Sequence, residues 1–177
     1  MRVMANQLTN EEALDRLRDI MKDVRICMLT TVEPGGELRS RPMAVQEAEF
    51  DGDLWFFTNE SSPKVDEIEK EHEVNVAFSE PKSQRYASVS GAASVVNDRQ
   101  KIEEFWNPAY KAWFPKGLED PDLTLLKVNV RAGELWDVPS SGIVHLFGLA
   151  KAAITGKSFD PGDHAKVDLE NGAATVR

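Results

Sequence analysis

Apolar positions Ala13, Leu14, Leu17, Ile20, Met21 and Val24 recur at intervals of three and four, the spacing that lays one stripe along a helix. Ahead of them Thr9-Asn10-Glu11-Glu12 fits a capping box, so a helix is expected over 9–23. The pattern then changes to short apolar runs divided by turn residues. "RICMLTTV" (25–32) reads as a strand, "EPGGE" (33–37) as a tight turn, and "LRSRPMAVQEA" (38–48) as the return strand. Pro42 removes a ladder donor from that strand and predicts an edge position or a bulge. "FDGD" is a second turn and "LWFFT" (54–58) a third strand. A helix over 63–71 follows, with Ser62 as its N-cap and Pro63 at the first helical position.

"VNVAFSE" (74–80) predicts a fourth strand and "QRYASVSGAASVV" (84–96) a long fifth one, in which Gly91 allows a bend or bulge. Asn97 is placed to cap a helix through "DRQKIEEFW". An irregular, aromatic-rich segment (107–122) leads to "LTLLKVNVRAGELWDV" (123–138), either a last strand pair or one long bent strand. "GIVHLFGLAKAAITG" (142–156) reads as a small-residue helix, and residues 157–177 as a polar C-terminal tail. The chain is therefore read as one domain over 1–156 plus that tail. Hairpins come first, with short helices at the corners and no regular strand–helix alternation. That order favours an antiparallel barrel, mainly β with flanking helices, over a doubly wound sheet.

Composition narrows the function. The 177 residues carry a formal net charge of −9, which opposes general nucleic-acid binding and attachment to an anionic membrane. One local anion pocket remains compatible with it, because net charge says nothing about a single site. No signal peptide or apolar run of bilayer length is evident, so a cytoplasmic protein is expected. Cys27, the only cysteine, lies in an apolar run and reads as a buried, inert thiol. His72, His145 and His164 have no metal-ligand spacing with one another, so no metal site is expected. No serine elbow, Gly-x-Gly-x-x-Gly or Walker loop is present, and no nucleophile–base pair is evident.

What remains is anion chemistry. Thr58, Ser61, Ser62 and Lys64 gather three hydroxyls and an ammonium at a helix N-terminus, where backbone N–H groups also favour an anion. Arg39 and Arg41, two apart on one strand, share a face. If strands 38–48 and 54–58 pair as a hairpin, both arginines lie beside the junction, and a phosphate would satisfy the cluster. The alternative is that Ser62 only caps, Lys64 is solvated, and the arginines pair with acids. Trp55, Trp106, Trp113, Phe114 and Trp136 offer walls for a planar ligand, or serve core and dimer packing.

The segments "RSRPM" (39–43), "DGDLWFFTNESSPKVDEI" (51–68), "VNVAFSEP" (74–81), "YASVSGAASVVNDRQKIEEFW" (86–106), "WFPKGLEDPDLTLLKV" (113–128) and "AGELWD" (132–137) stand together and in order. Over residues 8–156 the chain closely resembles the general stress protein family of FMN-binding split barrels, relatives of pyridoxamine phosphate oxidase. The resemblance implies a six-stranded antiparallel split β-barrel that forms a homodimer, with FMN in a cleft between subunits. It places Arg39, Ser40 and Arg41 along the ribityl-phosphate and ring of the flavin, and Pro42, Met43 and Ala44 as backbone contacts. It places Phe57 and Thr58 on the family's aromatic–threonine pair, Lys64 on the phosphate-binding lysine with Ser62 nearby, and Tyr86 where the oxidases use a glutamine. Trp136 falls on a tryptophan that reaches the FMN from the partner chain.

One departure bears on substrate. The oxidases follow that tryptophan with an Arg-x-His signature that grips pyridoxal phosphate. Here "DVPSSGIVH" follows Trp136, and Arg177 is the only arginine from 132 onward, which speaks against pyridoxamine phosphate oxidase activity. Lys82 and Arg85 flank a turn and are solvated or part of an anionic substrate site. The resemblance leaves two functions open: an FMN-dependent oxidoreductase taking a small molecule or nicotinamide reductant, or a non-catalytic protein that stores or senses FMN. A related barrel holding a deazaflavin or haem is a weaker third reading.

Overall fold

The computed structural model describes residues 10–46, 50–137, 163–168 and 173–176. In chain order these form α1 (Asn10–Asp23), β1 (Ile26–Val32), β2 (Leu38–Ala44), β3 (Asp53–Asn59), α2 (Pro63–Lys70), β4 (Glu73–Glu80) and β5 (Arg85–Val96). Then come α3 (Arg99–Phe105), two short 3₁₀ turns (Pro108–Ala112 and Gly117–Glu119), β6 (Leu123–Asp137), β7 (Asp163–Asp168) and β8 (Ala173–Val176). The Thr9 capping box, the far end of the expected second strand, His145 and the expected helix over 142–156 lie outside the described residues.

Every strand pairing is antiparallel, in the order β2-β1-β4-β5-β6, with β3 added to β6. β1 to β6 curl into a split barrel whose opening lies between β2 and β3, which do not pair with each other. β1 alternates strictly, with Cys27, Leu29 and Thr31 facing inward. Inside, Leu29, Phe56, Val76, Phe78, Val89 and Leu135 are almost wholly buried. Leu17, Ile20, Met21 and Val24, the stripe of α1, complete the same core.

Three expectations are corrected by the structure, and one pair of alternatives is decided. The hairpin between the second and third strands does not form. β2 pairs with β1, and β3 pairs with β6 in register Phe56↔Leu126. β3 is apolar on both faces and finds cover only against the equally apolar β6, whereas exposed β2 tolerates the edge that Pro42 requires. The cap of α3 is Asp98, not Asn97. Asp98 Oδ1 accepts from the backbone N–H groups of Gln100 (3.0 Å) and Lys101 (3.2 Å). Residues 123–137 are one continuous strand. The last part of the chain is more than a tail, because β7 pairs with β6 and β8 with β7. Backbone pairing needs little apolar content, and the second half of β6 offers an unpaired edge that β3 does not cover.

Gly91 sits at the one register shift of the β5–β6 ladder, where Ser90 pairs with Ala132 and Gly91 with Val130. A Cβ on Gly91 would lie 2.0 Å from the backbone oxygen of Asn129. The bulge bends β6, so its first half can pair with β3 and its second half with β7 along the same edge.

Candidate functional site

At the split, β3 ends and α2 begins within four residues. Ser62 has the extended backbone of an N-cap (φ −77°, ψ 143°), yet its side chain does not cap the helix. Its hydroxyl lies instead 3.2 Å from that of Thr58 and accepts from Lys64 Nζ at 3.2 Å. Lys64 Nζ also donates to Thr58 Oγ1 at 3.0 Å. Thr58 is 2% exposed, so this triangle is anchored in the barrel wall. Ser61 does not join it, because its N–H and hydroxyl both donate to Asp122, at 2.8 and 2.6 Å.

Among the described residues no carboxylate lies within ion-pair distance of Lys64. Burial, and secondarily the positive charge of Arg41, push its pKa down, while Glu67 opposes them. An ammonium held by neutral hydroxyls is electrostatically undersupplied. Both hydroxyls accept from it, and of their two protons one is shared between Thr58 and Ser62 while Thr58 also lies 3.5 Å from the Asn59 carbonyl.

The two arginines share a face, as their spacing requires, and both meet acids. Arg39 pairs with Glu33 at the surface. Arg41 makes a bidentate pair with Glu67 of α2, Nη1 to Oε2 at 2.8 Å and Nη2 to Oε1 at 2.6 Å. Thr31 donates to the same carboxylate at 2.6 Å. The hydrogen bond from Arg41, aided by Thr31, holds the Glu67 carboxyl below its usual range despite burial. Ser40 points the other way and shares a 2.7 Å hydrogen bond with Thr30.

A cavity of about 370 Å³ opens beside the Lys64 triangle. Pro42, Met43 and Ala44 form its β2 side, Phe57, Thr58 and Asn59 its β3 side, and Ser62 and Lys64 its α2 side. Tyr110, Trp113 and Phe114 close it with rings. Phe57 ties this wall to a second core through ring contacts with Tyr110 (5.3 Å), Trp106 (5.7 Å) and Phe114 (6.2 Å). Asn59 Oδ1 is the one buried side-chain oxygen or nitrogen without a partner among the described residues.

Of the expected site residues, the fold thus gathers Pro42, Met43, Phe57, Thr58, Ser62 and Lys64 around one cavity. Arg41 stands behind it through Glu67, and Arg39 stays at the surface. Tyr86 and Trp136 lie elsewhere, paired across β5 and β6 and exposed. Three contributors escaped the sequence reading. Glu67 sits one residue before Ile68 and reads as a surface acid. Asn59 and Gln46 are single amides at strand ends, and alternation alone could have turned them inward.

The comparisons with known proteins agree with this architecture. The family model for pyridoxamine 5'-phosphate oxidase-like proteins matches residues 12–160. Protein bli-3 of Neurospora crassa is 32% identical over 158 residues, covering 83% of this chain and 75% of its own length. A general stress protein 26 from Jannaschia sp. CCS1 superposes with a TM-score of 0.69 at 29% identity, over 90% of this chain and 99% of that one. The general stress FMN/FAD binding protein of Xanthomonas citri gives 0.64 at 27% identity, over 72% and 89%. With the split barrel, the collinear motifs and a match over most of its length, this chain belongs to the pyridoxamine 5'-phosphate oxidase-like family, among relatives described as general stress proteins.

Proposed function

We propose that the chain binds FMN as an FMN-dependent oxidoreductase, with the phosphate at Lys64. The observation that carries this reading is the Lys64 ammonium, held by Thr58 and Ser62 with no carboxylate partner, beside a cavity with aromatic walls. A dianionic phosphate supplies the charge that this ammonium lacks, and a hydroxyl of the Thr58–Ser62 pair can turn its proton to a phosphate oxygen. Asn59, with its unpartnered amide oxygen, stands next to Thr58 and suits a ribityl hydroxyl. Phe57, Tyr110 and Trp113 supply an apolar wall that excludes water from a ring system. A flavin supplies two-electron hydride chemistry itself, which suits a site without a protein nucleophile.

The same reading includes a homodimer. The outer face of the β2-β1-β4-β5-β6 sheet exposes Ile26 and Met28 on β1 and Tyr86 and Trp136 on β5 and β6. A second copy covering that face would bury them and bring Trp136 toward the partner's flavin. Titrating flavin-free protein with FMN and with riboflavin tests the proposal. FMN is expected to bind with quenched fluorescence and more tightly than riboflavin. Equal affinity for both, or no binding of either, would refute it.

A further inference from the structure

Three residues, Glu60, Ser61 and Ser62, join β3 to α2, and every backbone N–H among them is already taken. Glu60 donates to the Asp122 carbonyl at 2.7 Å, Ser61 to Asp122 Oδ1 at 2.8 Å, and Ser62 to the Asn59 carbonyl at 3.0 Å. Pro63, next in line, has no N–H. A phosphate at this junction therefore depends on the side chains of Thr58, Ser62 and Lys64 rather than on loop amides, and their placement depends on what holds the loop. Asp122 holds it. One aspartate takes three hydrogen bonds from two consecutive loop residues, the third from the Ser61 hydroxyl to Oδ2 at 2.6 Å. That hydroxyl, and then the Ser61 N–H, keep the Asp122 carboxyl below its ordinary range. Asp122 is itself fixed from two sides. Its N–H donates to Asp120 Oδ1 at 3.2 Å, and Leu123 and Thr124 after it pair with Asn59 and Thr58 in the barrel wall.

Resting on the flavin reading above, we infer that Asp122 is a positioning residue for the phosphate end of the site, pinning Ser61 so that Ser62 and Lys64 stay on the Thr58 side of the loop. Asp122 does not line the cavity and acts through Ser61 and Ser62. Ser62 shows what the anchor controls. Its extended backbone is that of an N-cap, and an N-cap serine ordinarily turns its hydroxyl back to the N–H groups of its own helix. Here that hydroxyl lies toward Thr58 and Lys64 instead, so the phosphate triangle and the helix cap compete for one side chain. A carboxylate that grips the preceding residue at both N–H and O–H fixes the direction of the loop, and with it the side chain that leaves at Ser62. Without that carboxylate only the Glu60 and Ser62 backbone hydrogen bonds remain of the set, and Ser62 can return to the cap.

Paired titrations of FMN and riboflavin with Asp122→Ala, Asp122→Asn and Ser61→Ala test the inference. Asp122→Ala removes both side-chain hydrogen bonds and Ser61→Ala only one. Asparagine keeps an oxygen for the Ser61 N–H and offers its amide N–H to the Ser61 hydroxyl. We expect FMN to weaken about tenfold in Asp122→Ala and about threefold in Ser61→Ala, and to keep near-parental affinity in Asp122→Asn. Riboflavin affinity should stay parental throughout, which also reports that each variant is folded. On the Asp122→Ala background, Ser61→Ala should add no further loss, because the bond it removes is already gone. Should Asp122→Ala fail to fold, Ser61→Ala and Asp122→Asn decide. The inference is overturned if FMN affinity is unchanged in Asp122→Ala and Ser61→Ala, or if riboflavin weakens in step with FMN. It is also overturned if Asp122→Ala and Asp122→Asn both bind FMN more tightly, the mark of a bare charge effect. A parent that binds FMN no better than riboflavin takes the flavin reading down with it, whereas a parental preference that survives in the variants sinks this inference alone.

Discussion

The Arg41 guanidinium grips the Glu67 carboxylate through two parallel hydrogen bonds of 2.8 and 2.6 Å, tying the edge strand β2 to helix α2 across the mouth of the barrel. Glu67 is 5% exposed and also accepts from Thr31, so three elements converge on one buried carboxylate. Removing only the acid strips a part-buried guanidinium of its countercharge and leaves it only the Thr31 hydroxyl, at 2.7 Å, from this cluster. Glu67→Leu should therefore destabilise the fold by about 3–5 kcal/mol, measured by urea unfolding.

The same pair predicts the acid limb of stability. The folded pKa of Glu67 is depressed, chiefly by Arg41, so its contribution is fully present above the ordinary carboxylate range. It is lost as pH falls through the depressed folded value. Unfolding free energy should decline more gently below pH ~4 in Glu67→Gln than in the parent. Parallel acid limbs in the two proteins would refute the assignment.

Lys64→Ala should weaken FMN by about 1.5–3 kcal/mol, the range for hydrogen bonds to charged groups, and leave riboflavin nearly unchanged. Paired titrations measure this. Equal losses for both ligands would place Lys64 away from the phosphate.

Phosphate binding should also move a proton. The Lys64 pKa is lowered in the free protein, first by burial and then by Arg41. A bound dianion favours the charged ammonium and raises that value, so FMN binding takes up protons at pH values between the free and the bound pKa. Calorimetry in buffers of different ionisation enthalpy should show this uptake, and Lys64→Met should abolish it.

Cys27 should resist alkylation in the folded protein. Burial pushes its thiol up to about 12, and Sγ lies 3.5 Å from the Met43 carbonyl. Iodoacetamide at pH 8 should label it only on unfolding. Gly91→Ala, by contrast, should cost about 1–3 kcal/mol, because the added methyl meets the Asn129 carbonyl across the bulge.

Local patterns settled much of this protein. The stripe from Leu14 to Val24 could only be a helix face, the short apolar run of 26–32 ahead of the Pro-Gly-Gly turn read as a strand, and Pro42 pointed β2 to a sheet edge or a bulge. Lys64 among hydroxyls at a helix start was legible for the same reason, since Thr58, Ser62 and Lys64 are neighbours along the chain. Partner choice over long separations was not legible. That β3 leaves β2 and crosses to β6 depends on which apolar surface is free when the barrel closes. That Arg41 meets Glu67, 26 residues on, depends on how α2 packs across the split. Spacing along a chain defines faces and caps, because those need only local geometry. Which buried charge meets which, and whether Ser61 turns to Lys64 or to Asp122, is decided only when distant elements compete for the same space.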